Sequence, residues 1–392
     1  MARVRSRVSP RIEELPPSGI RRFFELVERM PEAISLGIGE PDFITPWRVR
    51  EAAIFSLERG HTHYTPNRGT GELLAEVARY LQRRFGLEYD PGSELLITIG
   101  GSEAIDSALR VILEPGDSVL IPEPCFVSYV PCTVMAGGRP LPVATYSEQE
   151  FRVQPEALAE ADDGARAILM NYPNNPTGAV LTAGDMARLV AYAEEHDQIL
   201  LSDEIYGELT YGSEHVSAAS IPGARERVVL IGGFSKAWAM TGWRLGFAAG
   251  PADIVGAMMK LHSYTVMCTP TTAQEAALEA LRGCDGEVAE MRREYDQRRR
   301  VIVNRLNAMG LDCFTPGGAF YAFPSIARTG LSSEEFAQRL LAEEKVAVVP
   351  GTAFGACGEG FVRCSYATSM KLIEEAMARM ARFVERASAG RA

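Results

Sequence analysis

From about residue 92 onward, short apolar runs alternate with longer amphipathic stretches. The runs are ELLITIG, SVLIPEP, ARAILMNYP, QILLSDE, RVVLIGGFS and RLGFAAG. Most of them end in Gly, Pro, Asp or Ser. Short, continuously apolar runs of this kind predict strands buried on both faces of a mainly parallel sheet. SEAIDSALRVIL, AGDMARLVAYAEEH and PADIVGAMMKLH lie between them and carry a helical period. The alternation predicts an α/β domain with helices on both faces of the sheet. A long helical region follows from about 271 to 309. The rhythm then changes to GAFYAFP, EEFAQRLLAEEKVAVVPG, FVRCSYA and a final helix near 369–387, which reads as a smaller α+β domain. The first 45 or so residues carry no strand rhythm. The expected division is an N-terminal segment over 1–45, packing on the small domain and the site entrance, a large domain over 46–285 and a small domain over 286–392.

Composition narrows the function. The chain has 392 residues, enough for two domains with a sizeable core. The net charge of −11, with dispersed Lys and Arg, disfavours nucleic acid as a partner. No apolar run reaches the ~18 residues needed to span a bilayer, and the basic N-terminus has no apolar segment behind it that would make a secretory signal. Seven cysteines without a CxxC pair read as reduced thiols in a reducing, cytoplasmic setting. His61 and His63 form an HxH pair, but no Cys, His or carboxylate cluster accompanies it, so no metal is expected.

The chemistry concentrates at strand ends, where open α/β sheets bind ligands. GGFSKAWAMTGWRLGF (232–247) puts Lys236 just past one such end, in apolar company that favours its neutral, nucleophilic form. SDEIY (202–206) puts Asp203 at another end, with Tyr206 three residues on; a buried carboxylate there calls for a cationic partner. NYPNNPTG (171–178) makes a rigid loop presenting Asn175. TIGGSEAIDSAL (98–109) places Gly100, Gly101 and Ser102 at a helix N-terminus, a natural anion site. Arg363 in FVRCSYA is suited to bidentate carboxylate recognition. Taken singly, each has an ordinary structural explanation: a snorkelling lysine, two helix N-caps, a turn and an edge-strand arginine.

Taken in order, with LGIGEPDF (36–43) and HYTPNRGTGEL (63–73), these blocks resemble the class I/II aminotransferases of fold type I, whose cofactor is pyridoxal 5'-phosphate. The resemblance spans roughly 19 to 385. It implies a mainly parallel seven-stranded sheet flanked by helices, and transamination between an L-amino acid and a 2-oxo acid. Lys236 would be the Schiff-base lysine and proton shuttle. Asp203 would pair with the pyridine nitrogen, and Tyr206 and Asn175 would bond the ring oxygen. Gly100, Gly101, Ser102, Ser235 and Arg244 would hold the phosphate. Phe126 would stack on the ring. Tyr64 would reach the phosphate site of a second subunit, making a homodimer with shared sites. Arg363 would hold the substrate α-carboxylate, with Gly39 and Asn175 beside it. Glutamate with 2-oxoglutarate is the expected first pair; aspartate, an aromatic or another apolar amino acid is expected in the second. The stretch 261–274 has no arginine to hold a side-chain carboxylate, although Asn67 or Arg68 could substitute for one. Phe23 and Phe24, in a segment similar to one that covers the pocket, favour an apolar side chain. A C–S lyase or other eliminase of the same fold would keep every cofactor residue.

Overall fold

The computed structural model describes residues 7–15, 30 and 32–389. Phe23 and Phe24 lie outside the described residues. The seven-stranded sheet contains β2 (Leu95–Thr98), β3 (Ser118–Glu123), β4 (Arg139–Ala144), β5 (Ala167–Asn171), β6 (Ile199–Asp203), β7 (Val228–Gly233) and β8 (Gly246–Ala249). Their spatial order is β2-β8-β7-β6-β5-β3-β4. Pairing is parallel from β7 through β4, and β8 runs antiparallel to both of its neighbours. β5 and β7 are buried at every residue, as expected of strands covered on both faces. β4, with Pro140 and Pro142, has no apolar run to reveal it. It lies at the sheet edge, where missing backbone donors are tolerated.

Local chemistry sets the helix ends. Thr70 Oγ1 accepts the Leu73 N–H at the start of Gly71–Phe85, and Gly86 ends that helix in the left-handed conformation. Thr182 and Asp185 form a capping box on Ala183–Glu195, as do Ser332 and Glu335 on Ser333–Glu344. The long helical region divides at Cys284 into Thr271–Gly283 and Asp285–Ala308.

A smaller three-stranded antiparallel sheet joins β11 (Val349–Pro350), β12 (Val362–Ser365) and β9 (Tyr321–Ala322). β1 (Ile34–Ser35) pairs in parallel with β10 (Val346–Ala347), so a short strand exists where the sequence rhythm showed none. Two residues are too few to establish a period. The chain then passes through Leu36–Glu40 toward the carboxyl ends of β6 and β7, so one loop lines the space between the two sheets.

Candidate active site

A cavity of about 340 Å³ lies at these strand ends. One wall is the start of the helix Gly100–Ile112. Ile99, at its N-cap, has no side-chain cap, and Gly100 has φ +66°. The Glu103 carboxylate reaches back to the Ile99 N–H (2.5 Å) and contacts His262 Nδ1 (2.5 Å), which fixes this turn from behind. Arg244 approaches from the other side with φ +53°. A Cβ on Gly100 would sit 2.8 Å from Arg244 Nη2, so glycine is what lets the guanidinium lie against the helix start. Gly101, Ser102 and Ser235 line the same corner. Uncapped N–H groups, two hydroxyls and an arginine suit a phosphate dianion.

Across the cavity, Asp203 ends β6 and is 6% exposed. Its Oδ2 accepts from the Tyr129 hydroxyl (2.7 Å) and its Oδ1 from the Ile205 N–H (3.1 Å). Burial nevertheless raises its pKa to about 6, outweighing both hydrogen bonds and the weaker pull of Lys236. Among the described residues this carboxylate has no salt-bridge partner, and a protonated ring nitrogen would be one.

Lys236 follows β7. Its Nζ donates to the Gly39 carbonyl (2.7 Å) and lies 5.9 Å from the ring centroids of Tyr206 and Phe320. Desolvation lowers its pKa to about 8; Glu40 opposes the shift, and Arg363 and Arg244 add to it. An appreciable fraction of neutral amine is therefore present near neutral pH.

Arg363, on β12, is 2% exposed. Its Nη1 donates to Asn175 Oδ1 (2.8 Å) and its Nη2 to the Gly37 carbonyl (2.5 Å), while Nε has no partner among the described residues. The rings of Tyr321 and Phe354 flank the guanidinium at 4.5 and 4.8 Å. Its hydrogen-bond and ring partners are neutral, and a buried cation left with an unbonded donor is matched to an anionic ligand. Asn175 turns its carbonyl to Arg363, and its amide nitrogen has no hydrogen-bond partner among the described residues.

All the expected site residues except Gly100 and Tyr64 line this cavity: Gly39, Gly101, Ser102, Phe126, Asn175, Asp203, Tyr206, Ser235, Lys236, Arg244 and Arg363. Gly100 lies behind Arg244. Tyr64 lies outside the cavity and is 82% exposed. Phe126 meets Tyr129 edge to face at 5.7 Å. Arg68 donates to the Ser93 and Leu95 carbonyls, so it braces β2 within its own chain and is not free for a substrate carboxylate. Among the described residues there is no metal-holding cluster; His61 contacts Glu275.

Sequence reasoning missed Tyr129, Asn171 and Tyr321. Asn171 donates to the Asp203 carbonyl and accepts from the Asn175 N–H, tying the two loops together. Its place at the end of β5, next in the sheet to β6, was a usable signal. Tyr129 opens the short, mostly apolar helix Tyr129–Met135, and nothing local marks it.

The chain matches the family model "Aminotransferase class I and II" over residues 31–380. It is 46% identical to an aspartate aminotransferase of Pyrococcus abyssi, covering 95% of this chain and 97% of that one. It is 47% identical to aromatic-amino-acid aminotransferase 2 of Thermococcus litoralis, with the same coverages. The crystal structure of an aromatic aminotransferase from Pyrococcus horikoshii superposes with a TM-score of 0.90 at 46% identity, covering 94% of this chain and 99% of that one. These relatives transfer amino groups, and none of them favours the lyase alternative. No helix among the described residues is long and apolar enough to cross a membrane. With this site at the carboxyl ends of a mainly parallel sheet, the chain belongs to the class I and II aminotransferases, pyridoxal-phosphate-dependent enzymes of fold type I.

Proposed function

We propose that this aminotransferase uses glutamate with 2-oxoglutarate as one substrate pair and aspartate, an aromatic or another apolar amino acid as the other. The observation that carries the substrate class is Arg363: a buried guanidinium with an unbonded Nε, opening on the same cavity as Lys236. Ile105 and Phe126 line the same cavity and suit an apolar side chain, while residues 261–274 contain no arginine. The aspartate and aromatic names of the two relatives bracket the same range.

When bound, pyridoxal phosphate supplies an aldehyde for the amino group and a ring that accepts the electron pair left at the α-carbon. Gly101, Ser102, Ser235 and Arg244 would hold its phosphate. Asp203 would keep the ring nitrogen protonated. Tyr206 and the Asn175 amide would donate to the ring oxygen, and Phe126 would cover one face. Arg363 would grip the substrate α-carboxylate, with Gly39 alongside. Lys236 Nζ, as neutral amine, would take the α-proton and return it on the cofactor side.

The test is a half-reaction screen. Purified holoenzyme is mixed with single amino acids, and loss of its visible absorbance is followed together with 2-oxo acid release. Glutamate and at least one aspartate or aromatic substrate are expected to bleach the band. Failure of every amino acid, or release of ammonia, would count against the reading. Arg363→Lys is expected to lower kcat/KM by roughly a hundredfold, mostly through KM, because lysine cannot replace a bidentate fork; steady-state kinetics decides this.

The same reading includes a homodimer with shared sites. It is supported by the exposed Tyr64 and by the exposed apolar residues Ile44, Trp47, Tyr264 and Met267. Sedimentation of the holoenzyme as an active monomer would refute it. The reading also retains the division at 45/46 and 285/286, supported by the large sheet lying within 95–249 and by the pairing of β1 with β10. A cytoplasmic setting is supported by seven unpaired cysteines.

A further inference from the structure

Tyr321 has no assigned part in the reaction, yet it touches three pieces of the site. Its hydroxyl lies 2.8 Å from that of Tyr206. Its ring lies under the Arg363 guanidinium at 4.5 Å. A Cβ on Gly39 would come 2.6 Å from its hydroxyl oxygen, so the backbone of the Gly39 loop closes over that hydroxyl. The residue is 1% exposed. Its strand β9 pairs with β12, which carries Arg363, in the register Ser365 to Tyr321. One small sheet therefore supplies both the carboxylate clamp and this tyrosine.

A hydroxyl has one hydrogen to give. If Tyr206 donated to Tyr321, it would have none left for a ligand oxygen in the cavity. If Tyr321 donates to Tyr206, the Tyr206 hydrogen is free to point at the ligand. Among the described residues, Tyr206 is the sole hydrogen-bond partner of the Tyr321 hydroxyl. The electrostatics favour this second direction. Burial raises the pKa of both phenols and Arg363 opposes the rise at both, but the guanidinium lies directly over the Tyr321 ring at 4.5 Å. A cation against its ring draws electrons from the Tyr321 hydroxyl and makes it the better donor of the pair.

We propose that Tyr321 is a positioning residue that donates its hydroxyl hydrogen to Tyr206, commits the Tyr206 hydrogen to the cofactor's ring oxygen, and joins that bond to the carboxylate clamp at Arg363. Two hydroxyls in series polarise one another, so the outer hydrogen bond is stronger with the inner one in place. The inference rests on the proposed part of Tyr206 as donor to the ring oxygen, and the variants below separate the two.

The readout is the pH midpoint of the visible absorbance of the pyridoxal-phosphate-loaded enzyme. A donor to the ring oxygen holds this midpoint down. Tyr321→Phe keeps the ring under Arg363 and removes only the hydroxyl. It is expected to raise the midpoint by roughly 0.5–1 pH unit, the size of one neutral hydrogen bond, with KM for the amino acid unchanged within about twofold. Tyr206→Phe is expected to raise it at least as far, and the double variant no further than Tyr206→Phe alone. Should Tyr321→Phe fold poorly, Tyr321→Leu is expected to raise both the midpoint and KM. A shift in Tyr206→Phe with none in either Tyr321 variant overturns the inference and leaves the reading of Tyr206 standing. Additive shifts in the double variant overturn it as well, since Tyr321 would then act independently. No shift in any variant overturns both.

Discussion

Lys236→Ala is expected to lose transamination by roughly 10⁴-fold or more, because it removes both the nucleophilic amine and the base at the α-carbon. The fold is expected to survive. Lys236 Nζ makes one hydrogen bond, to the Gly39 carbonyl, and that carbonyl faces a cavity open to water. Desolvation already disfavours the ammonium there, lowering its pKa to about 8. Thermal unfolding of the cofactor-free variant should therefore match the parent within a few degrees. Lys236→Arg is the sharper control. It keeps a cation in place but cannot deprotonate, so it is expected to be as inactive as alanine. Substantial turnover in the arginine variant would show that charge, and not a neutral amine, is what the site requires. Steady-state kinetics with the best amino acid from the half-reaction screen measures both.

Asp203→Asn is expected to move stability and activity in opposite directions. The carboxylate is buried, and its pKa rises from 3.8 to about 6 because desolvation outweighs the hydrogen bonds from Tyr129 and Ile205. The sign follows from proton binding. Between about pH 4 and pH 6 the folded, cofactor-free chain holds a proton at Asp203 that the unfolded chain has released. The stabilising contribution is complete below about pH 4 and is lost as the pH rises through 6. At pH 7 the ionised group is a net cost of about 3 kcal/mol. Asparagine carries no charge and can still accept from the Ile205 N–H, while the Tyr129 hydroxyl turns to accept from its amide. The cofactor-free variant should be more stable than the parent at pH 7, by up to a few kcal/mol in denaturant unfolding, and about equal to it near pH 4. Its turnover should fall by roughly a thousandfold or more, because a neutral amide does not hold a proton on the ring nitrogen. Equal stabilities at pH 7 would mean that Asp203 is already neutralised without the cofactor. A carboxyl buried at this position, with its pKa raised by desolvation, is what fits a cationic ring nitrogen most directly.

Legibility in the sequence varied from element to element. β5, β6 and β7 were readable because strands buried on both faces are apolar along most of their length, which leaves a run broken only at its end. β4 was not, since an edge strand tolerates proline and half-exposure. β1 was not, since two residues cannot show a period. The strand-end residues Lys236, Asp203 and Asn175 were readable because a polar group directly after a buried run has few ordinary reasons to be there. Packing bears on one of the alternatives for a side-chain carboxylate: Arg68 was open in the sequence and donates to the Ser93 and Leu95 carbonyls in the fold.

The linear chain by itself determined the buried strands of the sheet, their ends and the chemical types delivered to them, because burial and period are local properties of neighbouring residues. Tertiary structure alone decided which groups meet. Tyr129 is 74 residues from the Asp203 it bonds, Tyr321 is 115 from Tyr206, and Arg363 is 188 from the Asn175 that orients it. Hydrogen bonds and desolvation depend on distances of a few ångströms, and no period in the sequence records a distance between residues so far apart along the chain. The shifted carboxyl of Asp203, the amine of Lys236 and the unbonded Nε of Arg363 exist only once the two sheets and the Leu36–Glu40 loop have closed around one cavity.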